Sequence, residues 1–419
     1  MKASLNVFQK TQRLWDTIHP YNAAQAMELA GDFLPERVSA SFHAALEDLG
    51  LGEFVLRDGR YFIQPPMHPP AVNTDAASFE DHLSAEMNRP FPRDLSVPFR
   101  PFDFWDGDRH FVGLTYQHWV ADSVSIRMLM RRWFERLTGV AEACRPIKLP
   151  EGGLLKSFGP AGAGWSVLAQ AASLFSLQSR MKKMRRVEAH GRWDVRVMLR
   201  RGPDGLISAV RKRARAVGAT VGDVFVAAAA EASAKHGPAV RTKRHPGLCM
   251  GTIVDLRARN PRPADNTFGL YLGFLMTDFA DPEAAGFDGV LRKAVAARKT
   301  AAARKSAEAS QLNMTLGYLL ATRLERRKLL EFYRKRFPVA CGLSSVNMTP
   351  GWAGEAHPSP LAAYHRISPT GPLLPIVLTP TTLGERLDLC FTYRTALLNA
   401  ERAEALVTAF IERLKAFAG

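Results

Sequence analysis

The chain has 419 residues, more than one hydrophobic core usually organises, so two domains are expected. Its 47% apolar and 23% charged residues are those of a globular protein. The four cysteines, Cys144, Cys249, Cys341 and Cys390, are isolated, which argues against zinc and disulfide frameworks and for reduced thiols in a cytoplasmic compartment.

Charge is distributed unevenly. Residues 1–150 carry 16 Lys and Arg against 19 Asp and Glu, whereas residues 151–419 carry 40 against 21, a surplus of 19 positive charges. The second part therefore attracts anions: nucleic acid, acidic lipid headgroups, phosphorylated cofactors or an acidic partner protein. The N-terminal "MKASLNVFQKTQRLW" has neither a continuous apolar stretch nor a small-residue cleavage site, so it is not read as a secretory signal. No apolar run reaches the roughly 18–20 residues that span a bilayer.

In chain order, "RVSASFHAALEDLG" (37–50) places Val38, Phe42, Ala45 and Leu49 on one face and ends in glycine, which predicts an amphipathic helix with its stop signal. "EFVLRDGRYFIQ" predicts a hairpin turning at Asp58-Gly59. "RHFVGLTYQH" predicts a strand buried on both faces. Ile126, Leu129, Trp133 and Leu137 mark the face of the following helix, with Asp122 or Ser123 as its cap.

The Gly- and Pro-rich stretch between 150 and 165 is the best linker candidate. After it, Val167, Leu168, Ala171, Leu174 and Phe175 share a helical face that ends in a Lys/Arg cluster. That segment is either a core-packing crossover helix or an interfacial helix resting on anionic membrane or covering an apolar substrate. Further on, "WDVRVML", "GLCMGTIVDLRAR", "VACGLSSVNM" and "LDLCFTYRT" read as strands, and "NTFGLYLGFLMTDF" as a Gly-punctuated extended segment. "TVGDVFVAAAAEASAKHG", a basic Ala-rich stretch near 289–305 and "AERAEALVTAFIERLKAF" read as helices.

His118 sits where a buried strand gives way to a loop before a helix, and Asp122 follows four residues later. Imidazole titrates nearest neutral pH and can take and return a proton in one turnover. On these residues alone, a satisfied core histidine beside a helix-capping aspartate is the favoured reading. No GxSxG, HExxH or P-loop is present, and "GPAGAG" at 159–164 follows no strand.

"YQHWVADS" resembles the HHxxxDG signature of the coenzyme-A-dependent acyltransferase superfamily, which includes chloramphenicol acetyltransferase, alcohol acyltransferases, wax ester synthases and condensation domains of peptide synthetases. "TVGDVFVAAAAEA", "TIVDLRARN", "NTFGLYLGFL" and "GLSSVNM" follow in the family's order, and the resemblance runs from about residue 20 to 417. The signature's first histidine is Gln117 here, and its closing glycine is Ser123. A serine there narrows the substrate passage or adds a hydroxyl to it.

The resemblance implies an α/β (α+β) fold of two chloramphenicol-acetyltransferase-like subdomains, each a mixed sheet flanked by helices, in a V-shaped pseudo-dimer. Expected boundaries are 1–160 for the subdomain carrying HxxxD, 161–190 for a linker or crossover segment, and 191–419 for the second subdomain. It implies acyl transfer from a thioester to a hydroxyl or amine acceptor at the subdomain interface, with His118 as general base. Asp122 is expected to be structural and paired with Arg257. Ser344, Ser345 and Asn347 are candidates for oxyanion or substrate contact. Asn266, Phe268, Gly269 and Tyr271 are read as structural, as is His19.

No metal or bound cofactor is expected. Acyl-coenzyme A or a phosphopantetheinyl thioester on an acidic acyl carrier protein is the implied co-substrate, in a cytoplasmic or membrane-peripheral setting. Nucleic acid is disfavoured, since no recognised binding motif accompanies the charge. The alternative is a non-catalytic binding or scaffold protein on the same fold.

Overall fold

The computed structural model describes residues 1–31, 33–57, 59–65, 77–92, 97–150, 177–257, 265–352 and 360–419. Asp58, nearly all of the expected linker and the amphipathic face at 167–175 lie outside the described residues. The chain divides into two compact units. One comprises Met1–Phe158, Asp255–Leu272 and Gly354–Pro369; the other comprises Gly159–Val254, Gly273–Ala353 and Thr370–Gly419. The expected boundaries were contiguous in sequence. Here two later segments join the first unit, because a strand in one of them completes its sheet.

The first unit opens with β1 (Lys2–Ser4), α1 (Val7–Asp16), β2 (Asn22–Leu29) and α2 (Pro35–Leu49). In α2 the expected face, Val38, Phe42, Ala45 and Leu49, is buried, and Gly50 ends the helix at φ 65°, a left-handed conformation that favours glycine. The expected hairpin follows as β3 (Glu53–Arg57) and β4 (Arg60–Gln64), and β1 adds to it as a third antiparallel strand. Then come α3 (Phe79–Asn88), β5 (Phe99–Asp106), β6 (Arg109–Gln117) and α4 (Ser123–Thr138). The buried Trp133 of α4 lies 4.6 Å from Phe42 of α2, ring centre to ring centre, and its indole N–H donates to the Val38 carbonyl at 3.1 Å.

In the second unit the chain runs through β7 (Val195–Arg201), α5 (Leu206–Ala216), α6 (Val221–His236), β8 (Leu248–Asp255) and β9 (Leu272–Phe279). Three helices follow, α7 (Pro282–Ala303), α8 (Ser306–Ala321) and α9 (Arg326–Arg336), then β10 (Val339–Leu343), β11 (Val346–Asn347) and α10 (Thr349–Trp352). The chain makes β12 (Leu361–Ile367) in the first unit before closing the second with β13 (Ile376–Leu383), β14 (Arg386–Arg394) and α11 (Ala400–Ala418).

The second unit's sheet has the order β7-β14-β13-β10-β8-β9 and is mixed, parallel where β10 meets β13 and β8 and antiparallel through β13, β14 and β7. Ala227, Ala228, Ala229 and Ala230 make the middle of α6 slim enough to be buried there, among Val210, Leu378, Phe391, Leu406 and Phe410. The first unit's four-stranded sheet, β12-β2-β6-β5, is antiparallel at every pairing, so the expected mixed sheet describes the second unit only. Gly113 of β6 is a packing requirement: a Cβ there would stand 2.4 Å from the Gln25 carbonyl oxygen and 2.5 Å from Phe102.

His82 of α3 is buried among aromatic rings, 4.7 Å from Phe102 and 5.1 Å from Phe104, and its Nε2 has no hydrogen-bond partner. Burial pushes its pKa below the ordinary 6.5, and the charge of Glu86 opposes this only in part. The unfolded chain therefore binds more protons than the folded one as pH falls through 6.5, so stability present above that pH is lost below it. His82→Leu is expected to flatten the fall in melting temperature between about pH 7 and pH 5. An unchanged slope in the variant would assign the acid sensitivity elsewhere.

Candidate active site

The first unit gathers His118, Asp122, Arg257, Gln117 and Ser123 at one end of its four-stranded sheet. β6 ends at Gln117, opposite Asn22 of β2, and the His118 amide donates to the Tyr21 carbonyl at 3.2 Å. The sheet ladder thus fixes the histidine backbone from one side. From the other, Asp122 caps α4: its Oδ1 accepts from the amides of Val124 at 3.1 Å and Ser125 at 2.9 Å.

Asp122 is 0% exposed. A buried carboxylate is costly unless its oxygens are satisfied. Oδ2 accepts a short charged bond from Arg257 and a 2.8 Å bond from the Tyr271 amide. Arg257 also donates to Ser125 Oγ at 2.7 Å and lies over the Tyr271 ring, 4.7 Å from its centre. The Gly269 carbonyl accepts from the Asp122 amide at 3.0 Å and from Ser125 Oγ at 2.9 Å. Asn266 donates to the Pro146 carbonyl at 2.7 Å, and Phe268 is buried. The segment read as structural in the sequence is the one that clamps this turn.

His118 is half-buried, with its Nδ1 fully enclosed and lacking a well-aligned hydrogen bond. Its ring lies 5.8 Å from both Tyr21 and Tyr116. Burial lowers its pKa below 6.5 and Arg366 adds to the lowering, while its own carbonyl, Asp122 and the Ala121 carbonyl pull the other way. The imidazole is therefore neutral at pH 7 and holds a free lone pair on one nitrogen.

The two positions that depart from the signature are both occupied internally. Gln117 Oε1 accepts from the Trp119 indole at 3.1 Å. Ser123 Oγ accepts from Arg366 Nε at 2.8 Å and from Gln25 Nε2 at 3.1 Å, and Tyr364 donates to Gln25 Oε1. Arg366, Gln25 and Tyr364 are all buried, and the pairing of β12 with β2 sets Arg366 directly opposite Gln25. The Ser123 hydroxyl is therefore held by the sheet. Sequence reading missed this group, because "AAYHRIS" carries no signal beyond that of an ordinary strand.

Ser344, Ser345 and Asn347 lie in the second unit. The Ser344 amide donates to Leu378 O at 2.9 Å, and Asn347 Oδ1 accepts from the Thr349 amide at 3.1 Å and Thr382 Oγ1 at 3.2 Å. Ser345 is exposed and lines a cavity of about 510 Å³ within that unit. His19 has its ring nitrogens 3.0 Å from the Pro20 carbonyl and Asn88 Oδ1, a structural placement.

Two stability effects follow from this geometry. Asp122→Ala leaves a largely buried guanidinium without its carboxylate and removes a helix cap, so a loss of about 3–5 kcal/mol is expected in urea unfolding. Ser123→Gly restores the signature residue yet deprives Arg366 and Gln25 of a shared acceptor. It should cost about 1–3 kcal/mol, and a neutral or stabilising effect would show that the hydroxyl is dispensable.

No family model matches the sequence, and no curated protein matches it. Solved structures match throughout. The first condensation domain of the calcium-dependent antibiotic synthetase, in complex with a substrate analogue, is 16% identical over 100% of this chain and 97% of its own, with a TM-score of 0.70. The EpoB cyclization-docking bidomain from Sorangium cellulosum is 11% identical over 100% and 84%, with a TM-score of 0.71. SgcC5 from Streptomyces globisporus is 14% identical over 99% and 98%, with a TM-score of 0.63. The chain has the two-subdomain α/β fold of the condensation domains, the fold group to which its acyltransferase-like sequence landmarks also point.

Proposed function

We propose that the protein is an acyltransferase that moves an acyl group from a thioester to a hydroxyl or amine acceptor, with His118 as general base. The observation that carries this reading is a partly accessible imidazole at a strand end, held between a sheet ladder and a cap that is itself clamped by a buried ion pair.

The polar surroundings of the ring include the carbonyls of His118 and Ala121, which can only accept. In the tautomer that carries its proton on the enclosed Nδ1, Nε2 keeps the lone pair. Nε2 then takes the proton from the acceptor O–H or N–H. The new C–O or C–N bond forms at the thioester carbonyl, and the tetrahedral oxyanion collapses with cleavage of the C–S bond. The departing thiolate takes the proton back from the imidazolium. No covalent enzyme intermediate is needed, because the thioester is already activated. Asp122 and Arg257 act as positioning residues.

The proposed candidates for the oxyanion donor are Ser344, Ser345 and Asn347, whose side-chain O–H and N–H groups can donate. The donor is proposed to be coenzyme A or a carrier-bound pantetheine; the former carries phosphates and carrier proteins are usually acidic, and both suit the basic second part of the chain.

His118→Ala is expected to lower turnover by about 100-fold to 10,000-fold without changing the melting profile. Because the base works only when neutral and its pKa is lowered, kcat/KM should hold down to about pH 6.5 and decline only below it. Near-wild-type turnover in the variant would remove His118 from the chemistry. If the unaltered protein showed no turnover across acyl-coenzyme A and acyl-carrier donors, a scaffold role on the same fold would stand instead.

A further inference from the structure

Helix α8 exposes more apolar surface than its own unit covers. Leu312, Leu316, Leu319 and Leu320 fall within an arc of about 100° at 3.6 residues per turn. Leu316 is 44% exposed, Leu319 58% and Leu320 63%. Single exposed leucines are ordinary, but three side by side on one helical face form a patch.

Cations border the patch. Arg323 in the turn after α8 and Arg326, Arg327 and Lys328 at the start of α9 are all exposed. Over residues 306–336 there are seven Lys and Arg against three Glu. Of those glutamates, Glu325 lies 4.0 Å from Lys328, and Glu331 is held by Arg334 and Lys335. Among the described residues, Arg323, Arg326 and Arg327 have no carboxylate partner.

We propose that this α8–α9 face is a docking surface for a bilayer rich in anionic headgroups. The leucines enter the boundary between headgroups and acyl chains, and the three arginines meet lipid phosphates. An apolar stripe rimmed by cations without carboxylate partners, one of which (Arg326) also lies 6.0 Å from the Trp193 ring centre, is the chemistry of an interfacial helix. The exposed patch itself is aliphatic; protein interfaces draw their binding energy mainly from aromatic and arginine anchors, and leucine is under-represented among them.

The flanking side of the same helix supports a lipidic setting. Ser306, Ala309, Ser310, Asn313 and Met314 of α8 line the 510 Å³ cavity of the second unit, together with apolar groups such as Phe274 and Met276 and charged ones such as Lys293 and Arg304. That volume suits a small apolar or amphipathic ligand. The surface assignment does not rest on acyl transfer, since none of its residues takes part in the chemistry proposed for His118.

The test is co-sedimentation of the full chain with vesicles of phosphatidylcholine alone and of equal parts phosphatidylcholine and phosphatidylglycerol, at low and high salt. Binding to the mixed vesicles should exceed binding to the neutral ones and should weaken in salt. The variant Leu316→Ser/Leu319→Ser/Leu320→Ser should lose at least about tenfold in partitioning. The variant Arg323→Gln/Arg326→Gln/Arg327→Gln should lose about a hundredfold on mixed vesicles only. Both alter exposed residues, so unchanged melting curves will show that they fold. His118→Ala should bind vesicles like the unaltered chain, which separates this test from that of the activity. The assignment is overturned if the unaltered chain stays in solution with mixed vesicles at low salt, or if the triple serine variant binds as tightly. It is equally overturned if the same residues retain an acidic carrier protein while vesicles are ignored.

Discussion

The candidate site depends on one carboxylate that has been taken out of water. Each oxygen of Asp122 is used twice: Oδ1 receives two amides of the first turn of α4, while Oδ2 receives Arg257 and the Tyr271 amide. Desolvating a carboxylate costs several kcal/mol, and only a full set of charged and backbone donors offsets that. The donors come from two stretches more than a hundred residues apart in sequence. Their convergence explains why Asp255–Leu272 belongs to the first unit although the strands on either side of it lie mostly in the second. The position of His118 is a consequence. Its amide is tied to Tyr21, Asp122 is anchored four residues later, and the loop between them has little freedom.

Behind that turn is a second buried polar group whose members account for one another. An arginine in the middle of a sheet is expensive, and Arg366 is buried on β12 opposite Gln25. The Ser123 hydroxyl gives both an acceptor. A glycine at that position would offer no oxygen side chain, so the serine and the buried arginine are best understood as a matched pair. The positive charge of Arg366 also helps to hold His118 in its neutral form, the state a general base requires. Gln117 is matched in the same way to Trp119, whose indole it accepts from. The departures from the acyltransferase signature therefore have structural reasons that leave the second histidine untouched.

Much of this could be read from the sequence, and what could not shares a physical cause. α2, α4, α6, α11 and the β3–β4 hairpin announce themselves through local periodicity, caps and turn residues, because their own sequence decides their form. β2, "NAAQAMEL", lacks the alternation of a half-exposed strand because all but Glu28 are buried, leaving no polar face to mark it. The pairing of Asp122 with Arg257 came from the resemblance; spacing alone could not give it, since 135 residues separate the two. Arg366 stands 243 residues from Ser123 and was invisible for the same reason. A contact made only by tertiary pairing leaves no periodic trace.

The basicity of the second part is spread over several segments, α7–α9 among them. Many of its arginines are spent internally: Arg298 on Asp223, Arg180 on Asp278, Arg386 on Asp388 and Arg413 on Glu231. Such pairs shape the unit but add nothing to its net charge. Eight of the nineteen surplus positive charges lie on α7–α9, where residues 282–336 carry thirteen Lys and Arg against five Asp and Glu. A field concentrated on three consecutive helices guides anions to one region, and salt screens it over about 10 Å at 0.1 M ionic strength. Two of those helices, α7 and α8, also line the cavity that Ser345 faces. The basic surface and the cavity are thus carried in part by the same elements.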